Sequence, residues 1–219
     1  MKALNGLRRA FVDSDTSLGA KSRARRWQWM LDTFPDLVEM RVIDLGGRLG
    51  TWRDVPVRPA HVHVLNLEEP DGEVPEWAEF DHADVCVLPE AIAGRSYDLV
   101  FSNSVIEHLG GYANRVRFAD TVAKLADRHW VQTPYRYFPV EPHVLFPGFQ
   151  FLPLPARATV ARHWPLAHTP PGDKDTAVRS ALEVELLTRT EMRLLFPDSE
   201  IRTERMAAVP KSLIAVKRA

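Results

Sequence analysis

The segment 42–51, which reads Val-Ile-Asp-Leu-Gly-Gly-Arg-Leu-Gly-Thr, constrains the fold of this chain more than any other. An aliphatic run ends with an acidic residue and two adjacent glycines. Glycine tolerates positive φ and lets the backbone approach a ligand closely, so the pattern predicts a strand that turns tightly into a helix. Open α/β sheets bind ligands at the carboxyl ends of such strands. A turn of this kind is also common as a plain strand–helix connection, and by itself it does not define a function.

Further β-rich runs along the chain predict the fold class. Strands are expected at Arg41–Leu45, Val62–Leu67, within Asp81–Leu88, at Tyr97–Ser102 and at His129–Thr133, with a helix over Tyr112–Asp127. This alternation is typical of a parallel sheet with helices on its faces. Two last runs, Glu200–Met206 and Ser212–Lys217, favour an antiparallel pair. We therefore predict a Rossmann-like α/β fold whose seven-stranded, mostly parallel sheet has a final antiparallel strand.

Residues 134–187 have a different composition and are expected to form a substrate-covering insertion. They contain nine of the chain's 17 prolines, and proline cannot donate to a central strand ladder, so this region is not more of the sheet. A helix is expected between Ala156 and Trp164, and Thr190 is expected to cap a short helix through Leu195. We divide one domain into segments 1–37 (basic and helical), 38–133 (cofactor-binding core), 134–187 (insertion) and 188–219 (helix and antiparallel pair).

Composition narrows the class of protein and its compartment. The 219 residues suffice for one domain with a sizeable core, and the net charge of −1 implies no polyelectrolyte partner. Cys86 is the single cysteine, which excludes an internal disulfide and a cysteine-based zinc site. No apolar run reaches the roughly 20 residues of a membrane span, and no secretion signal is recognisable at the start. We expect a cytoplasmic protein.

The first 30 residues are basic and carry Trp27 and Trp29. Such a segment could contact nucleic acid or an anionic surface. We favour a solvated helix whose tryptophans pack on the domain, and we expect no nucleic-acid partner.

Two further segments continue the pattern of the glycine turn. Asp84-Val85 lies in the third strand region, and residues 97–108 read Tyr-Asp-Leu-Val-Phe-Ser-Asn-Ser-Val-Ile-Glu-His. With the turn, these segments resemble class I S-adenosylmethionine (SAM)-dependent methyltransferases over residues 38–133, and more loosely over 188–217. The family's first motif, D-L-G-x-G-x-G, is matched except that Arg48 replaces the middle glycine.

The resemblance implies a set of residues that bind SAM. The turn residues would approach its methionine part, Asn66 or Glu68 its ribose, Asp84 and Val85 its adenine, and the fourth-strand residues its methionine end. The implied set is Asp44, Gly46, Gly47, Gly50, Asn66, Glu68, Asp84, Val85, Asn103 and Ser104. The G-x-G-x-x-G fingerprint of nicotinamide-dependent dehydrogenases is absent, which makes that class a weaker alternative. A domain that binds SAM without catalysis is a further alternative.

The insertion carries the candidate catalytic residues. If the acceptor is a hydroxyl, a base must take its proton, and histidine titrates in the required range. We predict that His143 is this base, with Glu141 orienting it or binding a substrate hydroxyl, and His108 is the alternative base. Packing or capping of the insertion by His143 is the structural alternative. Residues expected to contact the acceptor are Glu107, Tyr135, Arg136 and Tyr137.

The run from Thr133 to Pro147 resembles small bacterial methyltransferases of polysaccharide or other glycan synthesis, including actinobacterial sugar O-methyltransferases. This implies O-methylation of a sugar or oligosaccharide, with a small carboxylate or amine as the alternative acceptor. Some sugar O-methyltransferases use Mg²⁺, but Asp81, Asp84 and Glu107 have no recognisable ligand spacing, so we assign no metal. An exposed apolar cover could serve a homodimer as well as a substrate.

Overall fold

The computed structural model describes residues 18–70, 72–167 and 170–218. Seven α-helices occur in these ranges: α1 (Leu18–Thr33), α2 (Leu49–Arg53), α3 (Glu90–Ala93), α4 (Tyr112–Leu125), α5 (Leu154–His163), α6 (Lys174–Glu183) and α7 (Arg189–Leu195). Nine strands accompany them: β1 (Arg41–Leu45), β2 (His61–Asn66), β3 (Ala78–His82), β4 (Leu99–Asn103), β5 (His129–Pro134), β6 (Val140–Glu141), β7 (Phe146–Pro147), β8 (Glu200–Met206) and β9 (Val209–Lys217). Short 3₁₀ turns lie at Leu37–Glu39, Ile106–His108 and Phe149–Phe151.

The main sheet has seven strands in the order β3-β2-β1-β4-β5-β9-β8. The strands from β3 to β5 are parallel, and β9 runs antiparallel to both β5 and β8. The predicted fold class is confirmed. The third strand was predicted within Asp81–Leu88, which is too late in the chain, because β3 ends at His82. A turn follows it, in which the Asp84 carboxylate accepts a hydrogen bond from the Cys86 amide at 2.8 Å.

Both faces of the sheet are buried, as a parallel sheet requires. Along β1, Ile43 and Leu45 contribute to one hydrophobic cluster, whereas Val42 contributes to the other. Asp44 shares the face of Val42 because side chains alternate along a strand. This polar residue therefore lies among apolar neighbours, and its surroundings define the site described below.

Helix α1 packs on the second of these faces. The ring of Trp27 stacks on Phe101 with a centroid distance of 5.8 Å and meets Trp52 edge-on at 5.5 Å. The buried carboxylate of Glu204 in β8 accepts hydrogen bonds from Ser22 and Arg26 of the helix at 2.5 and 2.9 Å. The described part of the basic segment is thus anchored to the domain. None of the described helices is long and apolar enough to cross a membrane.

The insertion leaves and rejoins the sheet at the carboxyl end of β5. Tyr135 forms an isolated bridge with Leu187, and the Glu185 amide donates to the Glu107 carbonyl at 2.9 Å. Between these points lie the β6–β7 hairpin and helices α5 and α6. The helix predicted between Ala156 and Trp164 is present as α5.

The predicted cap of the helix ending at Leu195 was two residues too late. Thr188, not Thr190, is the N-cap, and it forms a capping box with Glu191. The hydroxyl and the backbone amide of Thr188 both donate to the Glu191 carboxylate at 2.6 Å, so the reciprocal pair decides where α7 begins.

Candidate functional site

The turn after β1 can be built only from glycines. Gly46 has φ of +77°, and a Cβ atom on it would lie 2.6 Å from a methyl group of Val105. A Cβ atom on Gly47 would lie 1.8 Å from the carboxylate oxygen Oδ2 of Asp44. The backbone therefore passes directly over the Asp44 side chain, which no other residue type would allow.

Asp44 supports this turn from beneath. Its side chain is fully buried, and Oδ2 accepts a hydrogen bond from the indole nitrogen of Trp52 at 2.7 Å. Burial raises the pKa of Asp44 to about 7, although the bond from Trp52 acts in the opposite direction. Asp44 does not line the cleft described below, so the structure gives it a positioning role.

Asn66, at the end of β2, also holds the turn. Its amide nitrogen donates to the Gly47 carbonyl at 2.6 Å, and its oxygen accepts from the Glu68 amide at 2.9 Å. The side chain of Glu68 forms an ion pair with Arg48, and both side chains are largely exposed. Arg48, which replaces the middle glycine of the motif, thus pairs with Glu68, the residue expected to bind the ribose if Asn66 does not.

A cleft of about 760 Å³ opens at the carboxyl ends of β1, β2 and β4. It is lined by Gly46, Gly47, Arg48, Thr51, Asn66, Leu67, Glu68, Asn103, Ser104, His108 and Glu183. We call it the glycine-turn cleft. Of the residues that the resemblance implies, it brings together Gly46, Gly47, Asn66, Glu68, Asn103 and Ser104.

The remaining implied cofactor residues lie outside the lining of the cleft. Asp84 is exposed just beyond β3, where the amide of Ala83 bonds to the Asn66 carbonyl at 3.1 Å. The side chain of Val85 packs in the hydrophobic core. Gly50 belongs to α2, immediately after the turn.

A second cavity, of about 220 Å³, adjoins the cleft, and we call it the acceptor pocket. Its lining comes mostly from the insertion and comprises His108, Glu141, His143, Val144, Phe149, Gln150, Arg157, Ala161, Ala167, Pro171, Ser180, Glu183, Val184 and Leu186. His108 and Glu183 line both cavities. These two side chains therefore mark where a group held in the cleft would meet a molecule in the pocket.

Glu141 and His143 form a hydrogen-bonded dyad in the acceptor pocket. Nδ1 of His143 lies 2.6 Å from one Glu141 carboxylate oxygen, and the other oxygen accepts from the Val144 amide at 2.7 Å. Burial by itself lowers the pKa of His143, but the hydrogen bond and the negative charge of Glu141 outweigh it and raise the pKa above the usual value. The dyad fixes the ring and leaves Nε2 as the nitrogen that can exchange a proton.

His108 faces His143 edge-on, with ring centroids 5.0 Å apart. Burial, together with the charge of His143, lowers the pKa of His108 to about 4. A base is most effective when its pKa lies near the working pH, so this arrangement favours His143 over His108 as the base.

Glu107 lies beneath these rings and is fully buried. One carboxylate oxygen accepts from the Thr133 hydroxyl at 2.9 Å, and the other has no hydrogen-bond partner among the described residues. Burial raises the pKa of Glu107 to about 7. Glu107 does not line the acceptor pocket, so its expected contact with the acceptor is not seen there.

Glu107, His108 and His143 could together hold a metal ion. Each offers a ligand atom, and these atoms lie within 4.8 Å of one another. Two imidazoles and one carboxylate suit zinc, manganese or iron, whereas Mg²⁺ prefers oxygen ligands. The donor set therefore gives no support to Mg²⁺.

The expected aromatic wall lies outside the acceptor pocket. Tyr135 is half-buried against the core and meets Tyr137 edge-on at 5.5 Å, and exposed Tyr137 stacks on Phe151 at 6.0 Å. Arg136 lines a further cavity beside the pocket. Sequence reasoning missed Glu183 and Gln150, because no local motif marks residues that the insertion brings back over β4.

This sheet order, with one antiparallel strand and a glycine turn after β1, defines the fold of class I SAM-dependent methyltransferases. No protein-family model matches the chain, and no curated protein is similar to it in sequence. Solved structures of methyltransferases do superimpose on it.

The N-methyltransferase NodS from Bradyrhizobium japonicum is similar at a TM-score of 0.51 and 11% identity, over 90% of this chain and 96% of that one. Magnesium protoporphyrin IX methyltransferase from Synechocystis, with bound S-adenosylhomocysteine (SAH), is similar at a TM-score of 0.50 and 14% identity, over 99% of this chain and 94% of that one. A SAM-dependent methyltransferase from Anabaena variabilis is similar at a TM-score of 0.52 and 15% identity, over 89% of this chain and 84% of that one. At these identities the likeness establishes the shared fold.

Proposed function

We propose that this protein is a SAM-dependent O-methyltransferase that acts on a hydroxyl of a small acceptor, most readily a sugar or oligosaccharide. The observation that carries the proposal is the junction of two cavities at His108 and Glu183. One cavity is built on the glycine turn, and the other contains the Glu141–His143 dyad. A methyl donor and a hydroxyl acceptor need this kind of adjacency.

The glycine-turn cleft fits a nucleoside cofactor on its own geometry. Its lining includes the backbone of Gly46 and Gly47, which carry no side chain that could fill the cleft, together with the Glu68 carboxylate and the Asn103 amide. SAM in this cleft would supply an electrophilic methyl group. The structural neighbours that carry SAM or SAH in the same fold support this choice of cofactor.

The dyad supplies the proton chemistry that an O-methyltransferase needs. His143 would take the proton of the acceptor hydroxyl on Nε2, while bound SAM would supply the methyl group and leave as SAH. Glu141 accepts a hydrogen bond from Nδ1 and stabilises the positive charge that develops on the ring. An amine or carboxylate acceptor would not need this base, so the dyad favours a hydroxyl.

The proposal is tested with purified protein, labelled SAM and a panel of sugars, small carboxylates and amines. We expect SAH to bind far more tightly than NAD in calorimetry, and methyl label to appear on a sugar. His143→Ala should lower turnover by at least ~100-fold, within the range general bases contribute, with unchanged SAH affinity. His163→Ala, an exposed histidine of α5, is the matched control and should retain full turnover.

Four outcomes would contradict parts of the proposal. Tighter binding of NAD would assign the fold to a dehydrogenase, and label only on amines or carboxylates would exclude the sugar acceptor. Binding of SAH without transfer to any acceptor would identify a binding domain. Loss of activity on chelation, restored by Zn²⁺ or Mn²⁺, would make His143 a metal ligand instead of the base.

A further inference from the structure

A third cavity, of about 280 Å³, continues the acceptor pocket away from the glycine-turn cleft. We call it the arginine cavity, after Arg115, Arg136 and Arg157 in its lining. Gln150, Arg157, Val184 and Leu186 line both this cavity and the acceptor pocket. A single molecule can therefore occupy the two together, with one end near His143 and the other among the arginines.

The charges in the arginine cavity are only partly neutralised. Buried Arg115 donates to the carboxylate and the carbonyl of Glu185, both at 2.8 Å. One Glu191 carboxylate oxygen, also in the lining, is engaged by Thr188 in the capping box, and the other lies 3.8 Å from the Arg115 guanidinium.

Arg136 and Arg157 have no acidic partner within 4.0 Å among the residues that the structure describes. The only described acceptor of the Arg157 guanidinium is the carbonyl of Ala181, at 3.0 Å. Two guanidinium groups without an acidic partner thus face the combined cavity, that of Arg136 in the arginine cavity and that of Arg157 where the two cavities meet.

Buried polar atoms without partners concentrate in this same lining. Within the described residues they include Nε of Arg115, Nε of Arg157 and Oε1 of Gln150. An unpaired buried donor or acceptor destabilises the folded state, so such groups are normally satisfied by a ligand or by water. The Gln150 amide nitrogen donates to the carbonyls of Arg136 and Phe138 at 2.9 and 2.8 Å, which holds its side chain in place.

We propose that the arginine cavity binds an anionic group, a carboxylate or a phosphate, of the same acceptor whose hydroxyl lies in the acceptor pocket. Arginine guanidinium groups match both anions in shape and charge. Gln150 lies between the two ends and accepts a hydrogen bond from a hydroxyl of the bridging molecule. The proposal rests on the proposed function and narrows it: the acceptor is an acidic sugar or a sugar phosphate, not a neutral sugar.

The test compares acceptors that differ only in charge. With labelled SAM, glucuronate and glucose 1-phosphate are measured against glucose and methyl glucoside. We expect at least tenfold higher kcat/KM for one of the anionic acceptors. The preferred anion distinguishes a carboxylate site from a phosphate site. Equal kcat/KM for charged and neutral acceptors would overturn the proposal.

Variants connect this preference to the cavity. Arg136→Gln and Arg157→Gln should each raise KM for the anionic acceptor about tenfold with little change for a neutral one. Arg193→Gln, an exposed residue of α7 outside the lining, is the matched control. Since Arg157 also bonds to Ala181, SAH affinity is measured for every variant to verify folding, and exposed Arg136 provides the cleaner result.

Direct binding separates this proposal from the proposed function. Calorimetry with SAH-saturated protein measures the affinity for glucuronate and for glucose 1-phosphate without turnover. Binding that Arg136→Gln weakens, in a protein that methylates nothing, would support the anion site and contradict the enzyme. Methylation of neutral sugars that neither arginine variant affects would support the enzyme and contradict the anion site.

Discussion

The glycine-turn cleft and the acceptor pocket use their polar side chains in opposite ways. In the cleft, the Asn66 side chain bonds to the glycine turn, and Glu68 pairs with Arg48. In the pocket, Nδ1 of His143 bonds to Glu141, and Nε2 is the free ring nitrogen of the dyad. The first region is built to hold a backbone shape, whereas the second keeps reactive groups available.

This difference indicates which region determines the specificity for the acceptor. A self-bonded turn presents backbone amides and carbonyls, which suit one cofactor common to many reactions. Unengaged side chains on an insertion respond to the particular acceptor. We test the comparison with substitutions, in order of their expected effects on stability or turnover, which fall from several kcal/mol to a few tenths.

Gly47→Ala should have the largest effect. The added Cβ would meet the Asp44 carboxylate at 1.8 Å, so either the turn or the buried acid must move. We expect a loss of about 3 kcal/mol in the free energy of unfolding, at the upper end of overpacking effects, and no measurable SAH binding. Gly172→Ala, whose Cβ meets nothing within 4 Å, is the control in the same urea titration. Equal stability of the two variants would show that the turn is not held by Asp44.

Asp44→Asn tests the buried acid through pH. Since burial raises the folded pKa of Asp44 to about 7, well above the ordinary value of 3.8, the native state holds this proton more tightly than the unfolded state. The contribution of Asp44 to stability is therefore full below pH 4 and is lost as pH rises towards 7. Relative to Asp44→Asn, the wild type should lose about 2 kcal/mol between pH 5 and 7.

The measurement compares urea titrations of wild type and variant at several pH values. Histidines with lowered pKa values, such as His129, affect both proteins alike, so the difference isolates Asp44. Asp120→Asn, at an exposed position of α4, is the matched control. A constant difference for Asp44→Asn would mean that Asp44 is ionised throughout.

Glu141→Gln tests the dyad. The glutamine oxygen can accept from the Val144 amide, and its nitrogen can then donate to Nδ1 of His143, which places the ring proton on Nε2 and opposes its action as a base. Turnover should fall about tenfold, or ~1.4 kcal/mol, with SAH affinity unchanged. Because Glu141 raises the pKa of His143, the acidic limb of the pH–rate profile should shift to lower pH in the variant. A profile that does not shift would exclude His143 as the titrating base.

The part of the structure that local patterns determine could be predicted from sequence. Adjacent glycines after an acidic strand end, as at Gly46 and Gly47, leave few alternatives to a tight turn, and aliphatic runs located the strands. The misplaced third strand shows the limit, because β3 is a half-buried strand with the mixed sequence Ala-Glu-Phe-Asp-His. The pattern of its side chains depends on its neighbour β2, not on its own hydrophobicity.

The candidate site was less predictable, because side chains distant in sequence form it. Asn66 was expected to bind the cofactor. In the structure its amide bonds to the glycine turn, about 20 residues earlier in the chain, and no local pattern predicts such a tertiary contact. His143 was identified from its stiff, proline-flanked surroundings, and its partner Glu141 lies two residues away. No sequence spacing predicts that Gln150 and Glu183 of the insertion return over β4.

Substitutions of the Arg48–Glu68 pair should have the smallest effect on stability and are the most direct probe of the cleft. Both side chains are more than half exposed, so removing either should change the free energy of unfolding by less than about 1 kcal/mol. Binding should respond differently to the two changes. If Glu68 contacts the ribose, Arg48→Ala releases its carboxylate and raises SAH affinity, whereas Glu68→Ala lowers it several-fold. Calorimetry on both single variants and the double variant measures their coupling. An equal loss in both single variants would show that the ion pair acts as a unit, and the departure at Arg48 from the motif would then be part of the binding surface.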